Sequence, residues 1–222
     1  MNVIDWGYIV GALPDLMRGL GMTLLVSALA ILFSLLAGAA GCALRVSGLA
    51  PLSLAVRGYV EFIRGTPFLV QIFFIFYGLP SLGVKLSIFW SGVAALSVWA
   101  SVFHIESFRA GLAAVGPNMR DASASLGLGG WRHALLVALP IALRAALPST
   151  MNTVVGTIKN SAYLQAIGLV ELTFVAVDRI STEFRSIDMF FSICVLYLVV
   201  VLTVSTLGRR LEKRLDRPYR RA

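Results

Sequence analysis

The chain has 222 residues, 58% of them hydrophobic and 14% charged, with a formal net charge of +8; its mean hydropathy is +0.85. A soluble domain carries about 45–50% apolar and about 25% charged residues, so this is not the composition of a cytoplasmic enzyme. The same figures exclude intrinsic disorder.

Taken in chain order, residues 19–44 form a run of 26 without an ionisable side chain. Residues 65–84 give 20 more, 86–105 another 20 with His104 set aside, and 189–208 a further 20. A helix needs about 20 mostly apolar residues to cross ~30 Å of hydrocarbon, so each run is read as a membrane span. A fifth is weaker: residues 145–158 are uncharged, Lys159 interrupts, and 160–170 are uncharged again. It is either a span over about 145–168 with one lysine inside it or a short soluble segment.

Charge placement chooses. With five spans the connecting segments alternate, and +9 falls on one side against −1 on the other. Short cytoplasmic loops carry the excess of Lys and Arg, which puts the N-terminus outside and the C-terminus in the cytoplasm. With four spans the +5 tail would fall outside. The first run has an acidic flank and too long a core for a cleaved signal peptide, so it is expected to stay as a span. The tail cations Arg209, Arg210, Lys213, Arg214, Arg217, Arg220 and Arg221 read as a topology anchor beside anionic membrane lipid. No aromatic or glycine-rich interleaving points to nucleic acid.

Cys42 and Cys194 fall inside apolar runs, where small buried thiols are expected, and two such residues define no disulfide or metal spacing. His104 and His133 have no partner at ligand spacing.

The informative polar segment is the loop over 109–144. Residues 118–126 carry a short helical pattern, Gly127-Leu128-Gly129-Gly130 breaks it, and 131–139 resume before Pro140, which restarts or kinks the chain. The segment is either an amphipathic connector at the membrane interface or a compact docking element.

Asp121-Ala122-Ser123, Gly127 and Leu139-Pro140 in this order resemble the Glu-Ala-Ala loop of bacterial ABC-transporter membrane subunits, most of all the permease family for polar amino acids. Further segments agree with that family. Glu61-Phe62-Ile63-Arg64-Gly65-Thr66-Pro67 with Leu69-Val70-Gln71 and Gly78-Leu79-Pro80 is similar to its second-span signature. Glu106, Phe108, Arg109 and Gly111 match the end of its third span. Lys159-Asn160-Ser161, Ile167-Gly168 and Glu171-Leu172-Thr173 resemble the segment after the loop, and the basic ending with Leu211-Glu212-Lys213 is also similar. Asp121 stands where the family usually has glutamate, Ser123 where it has a second alanine, and Asn160 where aspartate is common.

The resemblance implies one all-α permease domain over 1–222, five transmembrane helices, the type I ABC-importer fold and a bacterial inner-membrane location. It further implies a second permease subunit, identical or paralogous, two cytoplasmic ATPases, and a periplasmic substrate-binding protein delivering a polar amino acid or close derivative. The chain has no Gly-x-x-x-x-Gly-Lys-[Ser/Thr] loop, so ATP and Mg are expected on the partner ATPase and no cofactor on this chain. Coupling to that ATPase is expected at Asp121, Ala122, Gly127, Leu128, Trp131, Leu139 and Pro140. Transmission through a rigid knob needs packed apolar residues, for which Leu126, Leu128, Trp131, Leu135 and Leu136 are the candidates. The competing reading is a non-transport scaffold recruiting a cytoplasmic protein through 109–144. A channel would want rings of polar or charged side chains, and the spans show none.

Glu61 and Arg64 are three apart, as are Glu106 and Arg109, hence neighbours on a helical face. Each pair is either local neutralisation or part of an interhelical network along the pathway. Gln71 inside a span calls for a hydrogen-bond partner or the pathway. Lys159 either snorkels to the outer interface or faces the pathway. Glu171 joins the pathway candidates on the resemblance.

Overall fold

The computed structural model describes residues 4–216, and every element among them is helical. Arg217, Arg220 and Arg221 of the basic tail lie outside the described residues.

Helix α1 spans Trp6–Val46. It starts well before the apolar run because the Asp5 carboxylate accepts from the Tyr8 N–H at 3.1 Å and caps the first turn. Helix α2, Ala50–Gly65, opens with Pro51 in its first turn and stops at Thr66. Thr66 is extended (φ −109°, ψ 142°), as the residue before a proline tends to be. After Pro67 comes α3, Phe68–Phe73, continued by one π-turn to Gly78 and one 3₁₀ turn to Leu82. The α2 helix and the Phe68–Leu82 run are bent by 108° relative to each other, so the run expected at 65–84 is helical only from Phe68 to Leu82 and reaches the length of a span only together with α2.

Helix α4, Ile88–Ala113, is capped by Ser87 and runs past residue 105, which places Glu106 and Arg109 in its last turns rather than in a loop. Helix α5 is Pro117–Ser125 and α6 is Gly130–His133. A π-turn over Ala134–Ala138 joins α6 to α7, Leu139–Asn160, and a 3₁₀ segment follows to Ile167. Gly130–Ile167 is thus one helical run of 38 residues. Pro140 neither restarts nor breaks it. The wider π-turn just before the proline relieves the clash that its ring makes with a carbonyl four residues back. Helices α8, Leu172–Glu183, and α9, Ser186–Asp216, complete the chain. Among the described residues four helices are long and apolar enough to cross a membrane, and five if the bent pair counts as one span.

Helix α4 is the central element, with α1 on one flank and α7 on the other. Small residues set these distances, as they do where lipid-soluble helices gain nothing from hydrophobic burial. A Cβ on Gly38 would lie 2.5 Å from the His104 Cβ, and one on Gly41 would meet the Ile105 side chain at 2.6 Å. Gly92 faces Val26 of α1 and Leu164. Helices α1 and α4 therefore run parallel. Across the other flank Gly111 meets the Ala142 carbonyl and Gly156 meets Trp99, while the Ser107 and Ser149 hydroxyls bond at 2.7 Å; α7 is antiparallel to α4. Gly208 of α9 rests on Met151, and the Asp5 N–H donates to Asp188 at 2.8 Å. The ends of α1, α4 and α9 and the start of α7 consequently gather at one pole, together with α5 and α6. The opposite pole holds the start of α1, α8 and the start of α9.

Candidate functional site

Two features emerge: a knob at the first pole and a cavity between helices α2, α4 and α7 that sets charged side chains beside aromatic rings. The knob is built on a turn that only glycine fits easily. After α5 the chain takes φ +72° at Gly127. The Gly127 N–H donates to the Ala124 carbonyl at 2.9 Å, and the Leu128 N–H donates to the Ser123 carbonyl at 2.9 Å. This is the Schellman pattern of helix termination. Ser123 Oγ donates to the Met119 carbonyl at 2.7 Å, so its one hydroxyl proton is used. The His133 Nδ1 contact at 2.9 Å is therefore a donation from the imidazole to Ser123. That bond clasps α5 to α6. The sequence pattern hid it, because the two residues are ten apart and meet only once the turn has formed.

The apolar residues of the knob do not pack within the chain as rigid transmission was expected to require. Leu126 is 80% exposed, Trp131 72% and Leu136 66%, with Leu135, Leu139 and Met119 also open. Asp121, Ala122 and Gly127 are exposed, and Leu128 and Pro140 are partly covered. Stiffness comes from the backbone turn and the histidine clasp instead. The apolar side chains are left facing outward.

The cavity has a volume of about 480 Å³ and is lined by Arg64, Trp99, Phe103, Glu106, Arg109 and Asn152 among others. Glu106 and Arg109 pair at 2.7 and 3.0 Å, with both guanidinium bonds landing on Oε2. Arg64 does not pair with Glu61. Its guanidinium sits 5.7 Å from the centre of the Phe103 ring, and Glu61 bonds Arg57 at 2.7 Å, the neighbour on its other side along α2. An aromatic row continues above Arg64. Phe103 and Trp99 are 4.8 Å apart, Trp99 and Phe68 5.7 Å, Phe68 and Tyr163 5.9 Å. These rings were not singled out in the sequence, because each sits alone in an apolar run. The bend at Thr66–Pro67 is what carries Phe68 onto Trp99.

Gln71 holds that bend. Its Nε2 donates to the Ile63 carbonyl at 2.8 Å, the Thr66 carbonyl at 3.1 Å and Thr66 Oγ1 at 2.9 Å; it satisfies carbonyls freed at the end of α2. Lys159 is exposed at the end of α7. Glu171 is fully buried, away from the cavity. It caps α8 by accepting from the Phe174 N–H at 2.7 Å, and receives the Tyr197 hydroxyl at 3.0 Å and the Thr23 hydroxyl at 3.2 Å. Burial pushes its carboxyl above the usual range, while the Thr173 and Phe174 N–H groups and the two hydroxyls pull it back. The carboxylate thus locks α1, α8 and α9 together at the second pole. Cys42 is buried and Cys194 is exposed, against the expectation of two buried thiols; both are free. Among the described residues no three His, Cys, Asp or Glu side chains gather to hold a metal.

Residues 30–217 match the family model for the binding-protein-dependent transport system inner membrane component. The chain belongs to this family. The glutamine transport system permease protein GlnP of Escherichia coli is 33% identical over 214 residues, which cover 95% of this chain and 97% of that protein. The crystal structure of an amino acid ABC transporter with histidines superposes with a TM-score of 0.88 and 34% identity, covering 95% of this chain and 99% of its counterpart. An inward-facing methionine ABC transporter, MetNI, has the same fold at a TM-score of 0.77 and 20% identity, over 90% of this chain and 96% of its own. The permease therefore has the all-α type I ABC-importer fold and is a multi-pass component of the bacterial inner membrane. It is a transport subunit, and the relatives are transport permeases rather than enzymes.

Proposed function

We propose that the chain forms, with a second identical or paralogous permease, the membrane pathway of an importer for a polar amino acid or close derivative. Two cytoplasmic ATPases bind at the knob, using ATP and Mg there, and an external binding protein delivers the substrate. The N-terminus faces out and the C-terminus in.

The observation that carries this reading is the coincidence of two features at one pole. The exposed knob lies where α1, α4 and α9 end, and that pole also holds Arg45, Arg120, Arg132, Arg144, Arg209, Arg210, Lys213 and Arg214. Positive residues mark the cytoplasmic side. A knob presenting Leu126, Trp131 and Leu136 to water on that side wants an apolar partner surface, and a cytoplasmic ATPase supplies one. Asp121, Ala122, Gly127, Leu128, Leu139 and Pro140 shape or border that surface. Arg64, Glu106 and Arg109 line the cytoplasmic half of the pathway. Charged side chains inside apolar helices face a watery cavity or a partner rather than lipid, which supports a second permease across the cavity. Gln71 and Glu171 act as structural ties of the pathway wall, Glu61 as a surface partner of Arg57, and Lys159 faces the outer half.

The test is co-purification with the ATPase, followed by uptake of polar amino acids into vesicles holding the assembled complex and supplied with the binding protein. ATP-dependent uptake is the expected result. Recruitment of a soluble protein with no uptake of any amino acid would return the chain to the scaffold reading.

A further inference from the structure

The two helices of the knob are joined by a weak hinge and one strong tie. Ser123 is the one buried residue of α5, while α6 and the π-turn after it bury none, so no apolar core holds α5 against α6. The turn between them contains Gly127, Gly129 and Gly130, and nothing lies within 4 Å of a Cβ built on any of the three. Glycine backbone is the most permissive of all, and here no packing restrains it. The backbone bond from the Leu128 N–H to the Ser123 carbonyl ends inside the turn, before Gly129 and Gly130. The bond from His133 Nδ1–H to Ser123 Oγ, 2.9 Å long, spans all three glycines, and it is the one hydrogen bond between α5 and α6 among the described residues. Ser123 is 4% exposed and its hydroxyl also donates to the Met119 carbonyl; a chain of two bonds held away from water strengthens each member.

We infer that His133 is a positioning residue for energy coupling: through Ser123 it makes α5 and the α6–α7 run one lever, so that a push on α5 moves α7 instead of folding the glycine turn. The inference rests on the reading above that an ATPase docks at the knob, and adds the route by which its stroke leaves the knob. Helix α6 begins the helical run Gly130–Ile167, 38 residues long. Farther along that run α7 places Ser149, Asn152 and Thr153 on the cavity wall. It also grips α4, where Gly111 meets the Ala142 carbonyl and the Ser107 and Ser149 hydroxyls bond at 2.7 Å. A displacement of α6 is thus delivered to the wall of the pathway. With the clasp open, the same displacement of α5 is absorbed by backbone rotation at three glycines. The alanine usual in the family at position 123 offers no acceptor, so the tie belongs to this chain's own pair of side chains. Leu126, Trp131 and Leu136, which face outward, take no part in it and stay free for docking.

The experiment uses the complete complex of permease, ATPase and binding protein in vesicles, and reads amino acid taken up per ATP hydrolysed alongside ATPase co-purification. His133→Leu keeps the bulk and removes the donor, Ser123→Ala removes the acceptor, and His133→Asn keeps an N–H donor near the position of Nδ1. Co-purification should stay at the wild-type level, because the clasp lies behind the docking side chains. Uptake per ATP should fall about three- to tenfold in His133→Leu and in Ser123→Ala, the scale of one hydrogen bond's net contribution. The double variant should fall no further than the lower single one, since both changes remove the same bond, and His133→Asn should recover most of the ratio. A wild-type ratio in both single variants, losses that multiply in the double one, or His133→Asn no better than His133→Leu would each overturn the lever. So would loss of ATPase binding in step with uptake, which would reduce the pair to a part of the docking fold. The permease reading fails separately, if the wild-type complex binds no ATPase or takes up no amino acid; a wild type that couples beside variants that couple equally removes the lever alone.

Discussion

At the scale of single residues, the knob depends on Gly127. Its φ of +72° is a left-handed conformation with nothing within 4 Å of a would-be Cβ, so a substitution there suffers from backbone geometry and not from crowding. An L-residue pays about 1–2 kcal/mol in this conformation, and valine, branched at Cβ, is among the worst. Gly127→Val is expected to leave membrane yield intact, since every long helix is untouched, but to lower ATPase co-purification and uptake together. Asp121→Glu is the contrast: the side chain is exposed, one methylene is added, and both readouts should stay near wild type. The glycine turn was legible because Gly127, Gly129 and Gly130 interrupt two helical patterns. The clasp between Ser123 and His133 was not, because nothing local pairs residues ten apart. The pairing of Glu61 was misread for a related reason. Arg57 and Arg64 flank it at four and three residues, both within reach on a helix, and only side-chain geometry selects Arg57.

At the scale of helices, the close approach of α1 to α4 rests on glycines. In Gly38→Ala the new methyl would lie 2.5 Å from the His104 Cβ. Both atoms are fixed to their backbones, so no rotamer change relieves the overlap and the helices must part, at a cost of about 1–3 kcal/mol. A lower thermal midpoint of the purified protein is expected. Gly58→Ala, in an exposed stretch of α2 with nothing within 4 Å, should instead hold or raise it, by up to about 0.5–1 kcal/mol of helix propensity. Equal losses from the two substitutions would remove the packing argument. The existence of the apolar helices could be read from composition, since α1 and α9 contain the runs at 19–44 and 189–208 and α4 holds all but the first two residues of 86–105. Their ends could not. Polar and charged turns extend α4 to Ala113 and carry the run Gly130–Ile167 well upstream of residue 145, and hydropathy registers only the apolar part. The break before Phe68 was written in Thr66–Pro67, but hydropathy does not show that α2 meets the Phe68–Leu82 run at 108°.

At the scale of the whole molecule, the two poles differ in charge and in construction. The knob pole is rich in arginine, while the other is bound by mixed ion pairs: Arg179 reaches Asp15 at 2.7 Å and Glu183 at 3.1 Å, and Arg185 reaches Asp5 at 3.4 Å. Reporter fusions after Leu215 and after Lys85 should therefore report cytoplasm and exterior respectively, and a cytoplasmic signal at Lys85 would invert the proposed orientation. The central claim is that power enters through the outward-facing apolar residues of the knob. Its most direct test is substrate-stimulated ATP hydrolysis by the complete complex in vesicles, compared between wild type and Trp131→Asp, at a residue whose side chain is 72% exposed and lies outside the buried core. A charge placed in an apolar interface without a partner costs several kcal/mol, so the account predicts that stimulated hydrolysis and uptake fall together at least tenfold while membrane yield is kept. Full stimulated hydrolysis and full uptake by Trp131→Asp would contradict it.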